Sequence, residues 1–187
     1  MNAGLCDAQR SVLVVVDIQP SFLDPIEGSE RVLRRSEFLL RIASLLDVPA
    51  LATEQYPSRM GGTHESLTPF MAQECVLGKM SFSCAGCSEF VDALDNLQRE
   101  QVVLVGIETH ICVNQTAHHL LQRGYEVFLA ADATGSRSGE AHKVGLKRMR
   151  QAGAVISHTE SIAYEWMGSA EHPSFRDALK IVKEFSG

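Results

Sequence analysis

Three residues of this chain have the types needed to make and break an acyl bond: Asp17, Lys79 and Cys112. A cysteine attacks as its thiolate. A free thiol of pKa about 8.5 ionises more readily near a helix N-terminus and a cation, where values of roughly 3.5–7.5 occur. Lys79 would supply the cation and a helix opening near Cys112 the dipole. Asp17 would accept the thiol proton, and later return it or activate water. Each residue also has a plainer role open to it: a small buried apolar group, a solvated surface charge, a turn cap. Residue types alone leave both readings open.

The elements around them place all three at comparable points of the fold. "SVLVVVDIQ" (Ser11–Gln19) is a near-continuous apolar strand, the pattern of a parallel sheet covered on both faces. Apolar residues recur at helical spacing from Ser29 to Leu46, with Ser29 as candidate cap and Asp47–Pro49 as the stop. Further strands are expected at Pro49–Thr53, Glu74–Gly78, Gln101–Val105, Tyr125–Asp132 and Ala154–Ser157. Helices are expected at Cys87–Gln98, Cys112–Arg123 (closed by Gly124) and Ser138–Gly153, and the tail from Thr159 to Phe185 reads as two short helices. This alternation predicts one α/β domain with a mostly parallel sheet over residues 1–187. Such sheets bind ligands beyond the C-terminal ends of their strands. The segments to inspect are therefore Asp17–Gln19, Thr53–Pro57, Lys79–Phe82, Glu108–Cys112 and Asp132–Gly135.

Other motifs point less clearly to chemistry. "CAGC" (Cys84–Cys87) has the spacing of a redox pair but the wrong place in the strand–helix order. His118 and His119 are adjacent, so a helix turns them to different faces. Gly61–Gly62 lacks the Lys-Ser/Thr of a phosphate loop. A net charge of −6, with no basic run, argues against nucleic-acid and anionic-membrane partners. No apolar stretch has the roughly 18 residues of a membrane span. The N-terminus lacks a secretory pattern, and five cysteines without a framework spacing fit free thiols. A cytoplasmic protein acting on a small molecule is the expectation.

Four segments carry a likeness to a known group: "VVVDIQPSF" (Val14–Phe22), "ATEQYP" (Ala52–Pro57), "GKMSFS" (Gly78–Ser83) and Val105–Arg137, which joins strand, helix and next strand. The chain resembles the isochorismatase-like cysteine hydrolases, a superfamily that includes nicotinamidases and N-carbamoylsarcosine amidohydrolases, and the likeness covers nearly the whole sequence. The tail "ESIAYEWMGSAEHPSF" (Glu160–Phe175) is similar to the isochorismatase-domain-containing group. The resemblance implies a three-layer fold around a six-stranded parallel sheet of order 3-2-1-4-5-6. It makes Asp17 the general base, Lys79 its cationic partner and Cys112 the nucleophile. It also implies a cis peptide between Ile107 and Glu108, with the Glu108 and Cys112 amides forming an oxyanion hole. Relatives that bind a divalent metal carry an Asp and a His where this chain has Gln55 and Pro57, leaving only His64 nearby, so neither metal nor cofactor is expected.

The reaction implied is hydrolysis of a small amide through a thioester. Phe22, Tyr56 and Phe82 are candidate pocket walls, and Gln19, Glu54 and Gln55 candidate polar contacts. Rival readings are a non-catalytic scaffold, hydrolysis of an isochorismate-like ether, and a thiol redox sensor at Cys84 and Cys87. Relatives commonly assemble from several copies, so a homo-oligomer is expected, with Trp166 and Phe175 as candidate interface residues.

Overall fold

The computed structural model describes residues 4–185. Six strands form the centre: β1 (Ser11–Val16), β2 (Ala50–Gln55), β3 (Val76–Lys79), β4 (Gln101–Ile107), β5 (Glu126–Gly135) and β6 (Val155–Ser157). All neighbouring pairs run parallel, in the order β3-β2-β1-β4-β5-β6. The helices are α1 (Pro20–Leu23), α2 (Ser29–Leu45), α3 (Pro57–Met60), α4 (Ser88–Asn96), α5 (Asn114–Gln122), α6 (Gly139–Ala152), α7 (Thr159–Met167) and α8 (Phe175–Phe185).

Every residue of β1 and β4 is buried, because both faces of the sheet are covered. Successive strand residues point to opposite faces, which splits the core in two. Leu13, Val15, Val103, Val105 and Phe128 join α2, α7 and α8 on one side. Val12, Val14, Val102, Leu104 and Leu129 join α4, α5 and α6 on the other.

Several boundaries differ from the sequence expectation. β1 stops at Val16 because Asp17 takes a left-handed conformation, φ 52°. Gly28, also left-handed at φ 71°, precedes α2, so Ser29 is its first residue and not its cap. β5 runs on to Gly135, which carries Asp132–Gly135 inside the strand. Asp132 turns to α7 instead, accepting the Thr159 amide and hydroxyl at 2.9 and 2.6 Å. Trp166 is buried in the core, where its indole N–H donates to Ser11 Oγ at 3.0 Å. It is therefore not available at an interface, and Phe175 packs partly buried against the same core. Among the described residues no helix is long and apolar enough to cross a membrane.

Candidate active site

Parallel register gathers the site. Val16 pairs with Thr53 on one side and Gly106 on the other, while Gln55 pairs with Lys79. The residues at or just beyond these positions therefore share the C-terminal edge at the switch point between β1 and β4. Gly106 makes the junction possible: at φ +116° a Cβ there would stand 2.1 Å from the Val16 carbonyl oxygen. The following Ile107–Glu108 peptide is cis.

Asp17 and Lys79 are buried together, with Lys79 Nζ donating to Asp17 Oδ2 at 2.7 Å. The ammonium also donates to Gln55 Oε1 at 2.6 Å and to the carbonyls of Ser81 and Phe82 at 3.1 and 3.2 Å. The Thr53 hydroxyl donates to the other oxygen, Asp17 Oδ1, at 2.8 Å. The Asp17 carboxylate and the Cys112 thiol are near enough to shift each other's ionisation. Asp17 and Lys79 thus form one buried pair, with Cys112 beside Asp17 in the lining of the same cavity.

Burial raises the Asp17 carboxyl above the usual carboxylate range, against the charge of Lys79 and the hydrogen bonds it receives. The Cys112 thiol is also pushed up, first by burial and then by the neighbouring Asp17 charge, with Lys79 offsetting only part. Burial and the neighbouring carboxylate thus favour the protonated thiol, the opposite direction to the one that a cation and a helix dipole alone would give. Two features explain it. Lys79 is committed to Asp17 and three other oxygens. Cys112 lies in a π-helical turn, Thr109–Val113, and α5 begins only at Asn114, so the thiol is not at an α-helix N-terminus. The arrangement places a buried carboxylate, its pKa raised, beside a buried thiol.

The π turn is firmly seated. Val113 and Ile111 amides both donate to the Glu108 carbonyl, at 3.3 and 3.0 Å. Thr109 Oγ1 donates to the Gly135 carbonyl and lies 2.9 Å from His142 Nδ1. The hydroxyl has one proton, so Nδ1 must be the protonated nitrogen of His142. Gly145 of α6 lies flat against the turn, where a Cβ would come within 3.0 Å of His110 Cα.

A cavity of about 490 Å³ opens over Asp17 and Cys112, lined by Phe22, Pro25, Gln55, Phe82, Ile107, Glu108, Ile111, Gln115 and Arg137. Phe22, Gln55 and Phe82 were anticipated as wall or contact residues; the other proposed contacts face elsewhere. Gln19 is buried and clamps β2, accepting the Gln55 amide and donating to the Gln55 and Gly61 carbonyls. Glu54 accepts the amide and hydroxyl of Thr63, fixing the loop after α3. Tyr56 lines a separate open groove with Met80 and Cys87. Pro25, Ile107, Ile111, Gln115 and Arg137 were missed. Gln115, three residues after Cys112, had a helical signal, whereas Arg137 reaches the site only because β5 extends. Its guanidinium pairs with the Glu108 carboxylate at 3.1 Å.

The residues do not fit a divalent metal. Both side-chain atoms of Gln55 are taken, Oε1 by Lys79 and Nε2 by the Met80 carbonyl at 2.9 Å. His64 Nδ1 bonds locally to Ser66. Among the described residues no group of three or more His, Cys, Asp or Glu is placed to hold a metal ion.

The isochorismatase domain model matches residues 11–161, a span that includes every residue of this site. The chain belongs to the isochorismatase family. Isochorismatase family protein 1B of Dictyostelium discoideum is 33% identical over 98% of this chain and 91% of its own length. A solved structure described as the MAR1 ribonuclease of Caenorhabditis elegans superposes with a TM-score of 0.90 at 32% identity, covering 96% of this chain and 93% of that one. An Escherichia coli structure, described as an octameric hydrolase of unknown specificity, has a TM-score of 0.84 at 18% identity over 96% and 95% of the two chains. This last likeness concerns the fold. Family membership carries the hydrolase class to the chain without naming its substrate.

Proposed function

We propose that this isochorismatase-family hydrolase cleaves a small amide by covalent catalysis at Cys112. The observation that carries this reading is the cluster in which Asp17, held by Lys79, lies beside the Cys112 thiol in the lining of one cavity. Asp17 takes the thiol proton as sulfur attacks the substrate carbonyl. The C–S bond forms and the carbonyl electron pair moves to oxygen, where the amides of Glu108 and Cys112 donate to it. Collapse breaks the C–N bond, and Asp17 returns the proton to the departing amine. A water then gives its proton to Asp17 and attacks the thioester, releasing the acid and restoring the thiol.

The cavity supports a small substrate with an apolar portion, since Phe22, Pro25, Phe82, Ile107 and Ile111 form most of its wall. Gln115 and the Glu108–Arg137 pair supply its polar contacts. The ribonuclease description of the nematode neighbour is not extended to this chain: its net charge is −6, and Lys79 is buried against Asp17. We also propose a homo-oligomer, supported by the octamer described for the E. coli neighbour and by the exposed apolar side chains Tyr56, Met80 and Phe82.

The test is turnover of an amide panel with acyl-enzyme trapping by intact mass. Wild type is expected to accumulate a single adduct on Cys112. Cys112→Ala is expected to lose the adduct and turnover by about 10³-fold or more. Undiminished turnover by Cys112→Ala overturns the reading.

A further inference from the structure

We infer that Thr53 and Cys84 form a buried hydrogen-bond relay, Cys84 Sγ–H to Thr53 Oγ1–H to Asp17 Oδ1, that positions Asp17 and sets where it accepts a proton. This inference rests on the Asp17–Cys112 reading above and assigns a task to the Cys84–Cys87 motif that the reaction does not otherwise use.

Thr53 Oγ1 lies 2.8 Å from Asp17 Oδ1 and 3.4 Å from Cys84 Sγ, with all three residues buried. A threonine hydroxyl has one proton to give. The carboxylate is the stronger acceptor and takes it, so the thiol of Cys84 must be the donor to Thr53. The direction of both bonds is thereby fixed. Thr53 holds Asp17 through the backbone as well, since the Asp17 amide donates to the Thr53 carbonyl at 3.1 Å. With Oδ2 taken by Lys79 and Oδ1 by Thr53, the carboxylate cannot rotate, and its remaining lone pairs are left for Cys112.

Cys84 is itself placed from the nucleophile's helix. Its amide donates to Thr116 Oγ1 at 2.9 Å, one turn beyond Cys112. Cys84 has no solvent exposure and its thiol is held up to about 11, so it remains a donor throughout the neutral range. This is the opposite of a redox thiol, which needs access and thiolate character. Cys87 faces away, donating to Glu89 Oε2 at 3.3 Å.

The titratable and charged groups around Asp17 are Lys79 from β3, Cys112 from the π turn and Cys84 from the turn Cys84–Gly86, with Glu108 and Arg137 on the cavity wall. A hydrogen bond to the ionised carboxylate favours that form, so removing it raises the pH at which Asp17 takes a proton.

The experiment is the rate of Cys112 alkylation by iodoacetamide against pH, read by peptide mass on the full-length protein. Wild type is expected to show an acid limb that Asp17→Asn abolishes. Thr53→Val is expected to move that limb to higher pH, making modification below it roughly threefold to tenfold slower without lowering the plateau. Thr53→Ser and Cys84→Ser keep the donors and are expected to retain the wild-type limb, while Cys84→Ala moves it as Thr53→Val does, by less. A lowered plateau with an unmoved limb in Thr53→Val would mean a merely structural role and overturns the relay. If Thr53→Val does not fold, Cys84→Ala against Cys84→Ser decides by the same criterion. A wild-type limb that survives Asp17→Asn sinks the Asp17–Cys112 reading itself. An Asp17-dependent limb unmoved by these variants sinks only the relay.

Discussion

At the scale of single residues, the site is a set of burial penalties held in check by neighbours. Lys79 and Asp17 are both out of solvent, and each is tolerable only beside the other. Replacing Lys79 by Met leaves a buried carboxylate with no counter-charge. Urea unfolding is expected to show a loss of about 3–5 kcal/mol for this variant, and Cys112 alkylation to slow as Asp17 becomes protonated. A stability unchanged within about half a kcal/mol would mean the pair is not buried in solution. The thiols make a separate pH prediction. Burial raises Cys6 to about 12 and Cys84 to about 11, from an ordinary value of 9.0. A folded value above the unfolded one gives stability that is complete below the unfolded pKa. That stability is lost as pH rises toward the folded pKa. Unfolding free energy is therefore expected to fall between about pH 9 and 11, by up to roughly 1.4 kcal/mol per pH unit for each thiol. Cys6→Ala should flatten that decline in denaturant titrations at pH 8, 9 and 10.

At the scale of elements, the site depends on how closely β1 and β4 approach at their last paired residues, Val16 and Gly106. At Gly106 there is no room for a side chain, since any Cβ would overlap the Val16 carbonyl. Gly124, at the end of α5, also has a positive φ of +92°, but nothing lies within 4 Å of a Cβ built there. The two glycines separate conformational strain from collision. Gly124→Ala is expected to cost about 1 kcal/mol, the strain alone. Gly106→Ala should cost about 3 kcal/mol or more and abolish Cys112 reactivity, because the strand after it carries Glu108 and the π turn. Thermal denaturation with alkylation rates checks both, and equal effects of the two substitutions would discard the close-approach argument.

At the scale of the whole molecule, the two core clusters give the sheet a helix layer on each side, and the ligand-facing edge is left to loops. Three apolar side chains that follow β2 and β3 are exposed: Met80 and Phe82 at 67% and 56%, and Tyr56 at 39%. Light scattering on the purified chain is expected to give a multiple of the 20.5 kDa monomer mass. Met80→Asp, which puts a charge in that patch, should shift the mass downward. A monomer at concentrations near 100 µM would remove the oligomer from the proposal, since a specific interface holds well below that.

The sequence by itself determined the layer architecture, because continuous apolar runs alternating with amphipathic stretches admit few packings other than a covered parallel sheet. It also brought Asp17, Lys79 and Cys112 forward, through residue types at strand ends, and the family likeness supplied strand order and roles. Boundaries were legible to within about three residues, and backbone conformation set the detail, ending β1 at Val16 and making Ser29 the first residue of α2 instead of its cap. Only the tertiary structure decided the rest. The Thr53–Asp17 and Lys79–Asp17 contacts span 36 and 62 residues, so no local pattern encodes them. They arise from strand register. Cys84 looked like half of a redox pair until folding enclosed it beside Thr53, and Trp166 looked like an interface residue until it closed over Ser11. The upward push on the Cys112 thiol likewise arises in three dimensions, from burial first and the Asp17 charge second. Charge and dipole are properties of residues and elements, whereas desolvation depends on everything packed around them.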